Sequence, residues 1–101
     1  MEKFALLGLL KAKPGKEQEL EAFLRSALPL AEAEPGTDRW YAVKLGGNRF
    51  GIFDTFPDQS GRDAHLNGAI AKALFAKADE LLAEPPQIEQ LEILAAKSPR
   101  G

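Results

Sequence analysis

The chain of 101 residues has no cysteine. Disulfides, thiolate zinc sites and cysteine nucleophiles are therefore excluded. Its single histidine rules out a multi-histidine metal site within one chain. No charge dominates: 13 Lys and Arg stand against 15 Asp and Glu, a balance that offers no broad field to nucleic acid or anionic lipid. No apolar stretch approaches the roughly 20 residues of a membrane span. The run Phe4 to Leu10 sits at the short edge of a signal-peptide core, and no small-residue cleavage site follows it. Read as a strand, it makes a cytoplasmic protein the expectation. No phosphate loop, catalytic carboxylate pair, serine triad or nucleotide fingerprint is present.

What is present suits one small globular unit. Hydrophobic residues make up 45% and charged residues 28%, enough apolar surface for a core and too much for disorder. One domain, 1–101, is expected, with its core at about 4–96 and residues 97–101 as a frayed tail.

The hydrophobic period changes along the chain. Phe4 to Lys11 is apolar on both parities, the pattern of a strand buried on both faces. Pro14-Gly15 ends it. From Glu17 to Ala33, Leu20, Phe23, Leu24, Ala27, Leu28 and Ala31 recur at helical steps, and Pro29 should kink or shorten the last turn. Asp38 to Gly46 and Arg49 to Phe56 read as a hairpin about Gly47-Asn48. With a two-residue loop, Tyr41 and Val43 share a face with Ile52, Asp54 and Phe56, while Trp40 and Ala42 join Phe53 and Thr55. A longer loop would change these pairings. Ser60 and Asp63 have capping-box spacing. A helical stretch from Ala64 to Leu82 follows, broken at Asn67-Gly68, with Ile70, Leu74, Ala78, Leu81 and Leu82 as its buried stripe. Pro85-Pro86 stops it, and Ile88 to Ala96 is the last strand.

The order β-α-β-β-α-β predicts the α+β ferredoxin-like arrangement: a four-stranded antiparallel sheet with its helices on one face. Helices on one face leave the other bare. The first strand and the hairpin are apolar on both sides, so a second copy packing sheet against sheet is expected, a two-fold homodimer.

His65 is the one side chain that titrates near neutrality unaided. It falls early in the second helical region, near one end of the space between helices and sheet. There it is either a general base or hydrogen-bond donor for a ligand, or a junction residue bonded to Asp54, Asp58 or a backbone carbonyl. Asp54 interrupts an apolar strand, as a pocket group or as an anchor for Arg39 or His65. The cost of burying an unpaired carboxylate favours the anchor. Trp40 and Tyr41 carry polar handles that need partners if buried, and the aromatics together could line a pocket for a flat ring or simply fill the core.

Several segments resemble the antibiotic biosynthesis monooxygenase family. Phe4 to Lys13 with Pro14-Gly15-Lys16-Glu17 is similar to its opening strand and first helix start. Glu34-Pro35-Gly36-Thr37, with Trp40, is similar to the approach to its second strand. Phe53-Asp54-Thr55-Phe56 resembles its aromatic-acid-x-tryptophan stretch, and Asp63-Ala64-His65-Leu66 its alanine-histidine helix segment. Pro85-Pro86 before the last strand also fits. The resemblance spans Phe4 to Ala96.

It implies a dimeric α/β barrel with a cavity in each protomer, and monooxygenation of a small aromatic phenol or quinol without cofactor or metal. His65 would be the base or the anion-stabilising donor, Asp54 would orient it, and Trp40, Tyr41 and Phe56 would position the ring. The haem-degrading members carry an asparagine in the first strand, and Phe4 to Lys11 has none. The alternatives are a non-catalytic dimeric barrel that binds a small apolar ligand, and a haem-binding protein using His65.

Overall fold

The computed structural model describes residues 3–97. Its elements are β1 (Phe4–Lys11), α1 (Glu17–Ser26), α2 (Leu28–Glu32), β2 (Arg39–Gly46), β3 (Arg49–Phe56), α3 (Gln59–Leu66), α4 (Ala69–Leu81) and β4 (Gln87–Glu92). The sheet runs β2-β3-β1-β4 with every neighbour antiparallel, the ferredoxin-like order. Each of the two helical regions holds two helices, as expected for the second and not for the first. The tail Ser98 to Gly101 lies outside the described residues.

Pro29 divides the first helical stretch instead of merely shortening it. It has no N–H to offer the Arg25 carbonyl, and its ring crowds that turn. The helix therefore ends at Ser26, and Pro29 falls in the first turn of α2, where a missing N–H leaves no bond unmade. Leu20, Leu24, Ala27 and Ala31 keep the buried stripe, but Leu28 turns outward and is 46% exposed. In α3 the expected capping pair is replaced. Asp58 is the N-cap: its Oδ1 accepts from the Gly61 N–H and the Ser60 hydroxyl, both at 2.8 Å. The break at Asn67-Gly68 stands between α3 and α4 as expected.

One residue decides the faces of the hairpin. Gly46 opposes Arg49, but Lys44 opposes Phe50, so Leu45 is extra, a β-bulge. Gly46 at φ 113° and Gly47 at φ 57° supply the backbone for it. The bulge reverses the expected assignment. Trp40 lies opposite Asp54 and Ala42 opposite Ile52, while Tyr41 pairs with Phe53 on the far side. β4 ends earlier than expected. After Ile93 donates its N–H to the Lys3 carbonyl, the chain leaves the sheet and Leu94 is 94% exposed.

The core lies between the sheet and the helices, with Leu10, Phe50 and Ile52 of the sheet against Leu20, Leu24 and Leu74. The opposite sheet face has no covering element among the described residues. Leu7 and Leu9, expected to be buried there, are half-buried. Among the described residues no helix is long and apolar enough to cross a membrane.

Candidate functional site

The period-two alternation of β3 sends Phe50, Ile52, Asp54 and Phe56 to the helix side. Asp54 is thus carried into the core and is 1% exposed. A buried carboxylate requires a partner, and α3 delivers one. Its cap at Asp58 sets where the helix starts, and His65, in its last turn, is buried against the end of the sheet. The Phe56 ring, opposite Phe4 of β1, lies 5.5 Å from the imidazole and tilted 49° to it. Nε2 of His65 is 2.8 Å from Asp54 Oδ2.

The other ring nitrogen meets a residue that the strand and helix patterns did not mark. Nδ1 lies 2.6 Å from Oε1 of Glu34, in the turn between α2 and β2. The same Oε1 accepts from the Thr37 hydroxyl at 2.8 Å. Backbone holds this turn in place. A Cβ on Gly61 would stand 2.4 Å from the Gly36 carbonyl oxygen, so the turn and α3 approach as closely as they do because both positions lack a side chain.

Burial alone would pull the His65 pKa down. The close contacts with the Asp54 and Glu34 carboxylates, and their charges, outweigh it and push the pKa up to about 9. At neutral pH the ring is an imidazolium, hydrogen-bonded to Glu34 at Nδ1 and ion-paired with Asp54 at Nε2. Glu34, His65 and Asp54 form a line of charge, minus, plus, minus. Neither Asp54 oxygen has a hydrogen bond of good geometry among the described residues: Oδ2 meets His65 as an ion-pair contact, and Oδ1 meets no partner.

Two openings meet at this line. On the Asp54 side, a narrow cavity runs between β1, β3, α3 and α4, with about 50 Å³ of room for water-sized spheres. Leu6, Leu10, Ile52, Leu66 and Leu74 are among its walls, with Phe75 and Ile88 also lining it, and Asp54 and His65 are its polar groups. Phe75 is 54% exposed and Ile88 39%, so both also reach solvent. On the Glu34 side, an outer cleft of about 320 Å³ is lined by Leu30, Pro35, Gly36, Gly61 and Ala64, and also by Glu34 and His65.

Of the expected site residues, His65, Asp54 and Phe56 come together. Trp40 and Tyr41 do not line the cavity. Trp40 packs against Ala27, Ala31 and Ile70, with its buried indole N–H unpartnered among the described residues. Tyr41 is 48% exposed on the open sheet face. Asp58 serves the helix cap and not His65. Glu34 was visible only as part of Glu34-Pro35-Gly36-Thr37. Among the described residues no group of three His, Cys, Asp or Glu is arranged to hold a metal ion.

No protein-family model matches the sequence, and no curated protein does. Solved structures do. The NE2512 protein of unknown function from Nitrosomonas europaea is 58% identical, over 100% of this chain and 98% of that one, with a TM-score of 0.96. The Pseudomonas aeruginosa protein PA3566 is 23% identical over 94% of this chain and 97% of its own, with a TM-score of 0.79. A Nitrosomonas europaea protein provisionally named an antibiotic biosynthesis monooxygenase is 16% identical, covers 95% and 94% of the two chains, and has a TM-score of 0.82. Identities that low speak for fold alone. The chain belongs to one family with the Nitrosomonas europaea NE2512 protein, and its fold is that of the antibiotic biosynthesis monooxygenases.

Proposed function

We propose that the chain is a cofactor-independent oxygenase of a small aromatic phenol or quinol. One observation carries this reading: a buried carboxylate oxygen, Asp54 Oδ1, lacks a partner at the polar end of an otherwise apolar cavity. Such an oxygen accepts a hydrogen bond from a neutral donor and repels a carboxylate or phosphate. A phenolic hydroxyl on an apolar ring meets both requirements. The names of structural neighbours such as the Nitrosomonas europaea monooxygenase support the same chemistry.

In this reading Asp54 accepts the hydroxyl proton, and the His65 imidazolium beside it stabilises the anion that forms. The electron-rich anion reacts with dioxygen directly. One ring C–H and the phenol O–H give up their hydrogens as O₂ adds: the two carbons become the C=O groups of a quinone, the second oxygen atom leaves as H₂O, and the substrate supplies all four electrons. Leu74 and Phe75 flank the ring, with Phe75 swinging aside to admit it. Phe56 acts through the imidazole it packs against, and Trp40 backs the cavity wall at Ile70. Haem ligation through His65 is disfavoured, because a carboxylate stands against each ring nitrogen and the charged ring offers no lone pair.

Chelator-treated protein is expected to consume oxygen with at least one member of a panel of quinols and dihydroxynaphthalenes. Asp54→Asn keeps the shape and should lower that rate by roughly 10²-fold or more. An unchanged rate in Asp54→Asn would remove the assignment. The small cavity and the full engagement of His65 favour a second reading, a non-catalytic module that binds an apolar ligand. Saturable binding without uptake across the panel would select it.

The active unit in this reading is a two-fold homodimer. The uncovered sheet face supports it, with Tyr41 and Val43 each nearly half exposed beside half-buried Leu7, Leu9 and Phe53. Val43→Glu should shift the protein from dimer to monomer in sedimentation. A monomeric parent chain at micromolar concentration would refute the arrangement.

A further inference from the structure

The proposed chemistry needs His65 held in one orientation and one charge state, and Asp54 alone secures neither. An imidazole bonded through a single nitrogen can swing about that contact. Beside one carboxylate, it also gains only part of the charge stabilisation available here. The second contact comes from a different part of the chain, the turn after α2.

We propose that Glu34 is the positioning residue of this site: through Nδ1 it holds the His65 ring with its other nitrogen against Asp54. The assignment rests on the oxygenase reading for its catalytic consequence, and on geometry for the rest.

Four features of the structure converge on Glu34. Its Oε1 is 2.6 Å from Nδ1, a charge-assisted distance. The Thr37 hydroxyl fixes the same oxygen at 2.8 Å, so the carboxylate is itself oriented. At Gly36 and Gly61 the turn and α3 approach backbone to backbone, with no flexible side chain between them. Finally, Glu34 lines the outer cleft and its side chain is 19% exposed, while Asp54 at the other end is 1% exposed. The Glu34 end of the line is the end that meets water, and the Asp54 end faces the cavity.

Other charges near the ring are few. β3 contributes Asp54, and the cavity walls supplied by β1 and α4 are apolar. On α3 itself, Arg62 lies one turn before His65. Its guanidinium is 4.9 Å from the Phe4 ring and donates to the Leu91 carbonyl. Asp58, at the helix start, is occupied by Gly61 and Ser60. Glu34 and Asp54 are the two carboxylates bonded to the imidazole.

The test is an NMR titration of the His65 ring, paired with oxygen uptake. In the parent protein both ring nitrogens should be protonated at pH 7. An unprotonated Nδ1 or Nε2 there would overturn the proposal without any variant. Glu34→Gln keeps the length and an acceptor oxygen but removes the charge. Its His65 midpoint should fall by one pH unit or more, with near-native circular dichroism, and oxygen uptake at pH 7 should drop roughly tenfold or more in kcat with a smaller change in KM. A midpoint that stays put in Glu34→Gln refutes the charge role. A midpoint that falls while uptake is unchanged refutes the catalytic consequence. If the parent protein consumes no oxygen with any quinol, the oxygenase reading fails by itself, and the titration still decides whether Glu34 sets the state of His65.

Discussion

His65→Ala should lower the unfolding temperature by roughly 15–30 °C, the largest effect expected from any single substitution in this chain. Two carboxylates donate nothing and are held beside each other only because a cation lies between them. Asp54 is 1% exposed and Glu34 is 19% exposed at the side chain. Removing the imidazole leaves one charge fully buried and unpaired. Breaking a buried pair from one side costs about 3–5 kcal/mol, and a domain of this size shifts by about 4–8 °C per kcal/mol. The loss also includes the packing of the ring on Phe56. Adding Asp54→Asn to His65→Ala should recover part of the loss, because the orphaned charge goes with it. The check is thermal unfolding of the three proteins by circular dichroism at pH 7. A single variant within 1 kcal/mol of the parent would mean that water reaches Asp54 freely.

The second large effect is on stability against pH. His65 titrates near 6.5 in the unfolded chain and at about 9 in the folded one. Below pH 6.5 the ring is protonated in both states, and the stabilisation is fully present. Between 6.5 and 9 the folded state holds a proton that the unfolded state has lost, so each step upward in pH favours unfolding. Above 9 the contribution is gone. The whole span is worth on the order of 3 kcal/mol. Guanidinium unfolding from pH 6 to pH 10 should show the fall, and His65→Gln should be flat through the same window. A parent protein equally stable at pH 6 and pH 9 would contradict the charged assignment. The direction is opposite to that of a protein held by carboxylates with lowered pKa values, which weakens on acidification.

The sequence showed most of the architecture because local signals dominate there. Phe4 to Lys11, apolar throughout and closed by Pro14-Gly15, could be little else than a buried strand. Asn67-Gly68 marked a helix break and Pro85-Pro86 a helix end. Three features escaped for one physical reason: each depends on where a single residue is accommodated in three dimensions. The extra residue at Leu45 moves Trp40 to the helix side and Tyr41 away from it, and period-two reasoning cannot say where a strand absorbs a bulge. Asp58 outcompeted Ser60 as the cap because both can accept, and the turn after β3 put Asp58 first. At the site, the pairing of Asp54 with His65 was one of the options that the residues left open, since a buried acid needs a cation. Glu34 had no such signal. It stands in a turn, outside any periodic stripe, and meets His65 only through the three-dimensional arrangement of the turn and α3.

That meeting has a topological consequence. Glu34 and His65 are 31 positions apart, and the chain between them holds the whole β2–β3 hairpin and most of α3. The hydrogen bond at Nδ1 closes this stretch into a loop of the folded chain, but it is not covalent and leaves the unfolded chain unrestricted, so the closure entropy opposes the bond. Unlike a disulfide, it needs no oxidant in a protein that has no cysteine. Its latch includes one proton, the one that His65 loses as the pH rises past about 9.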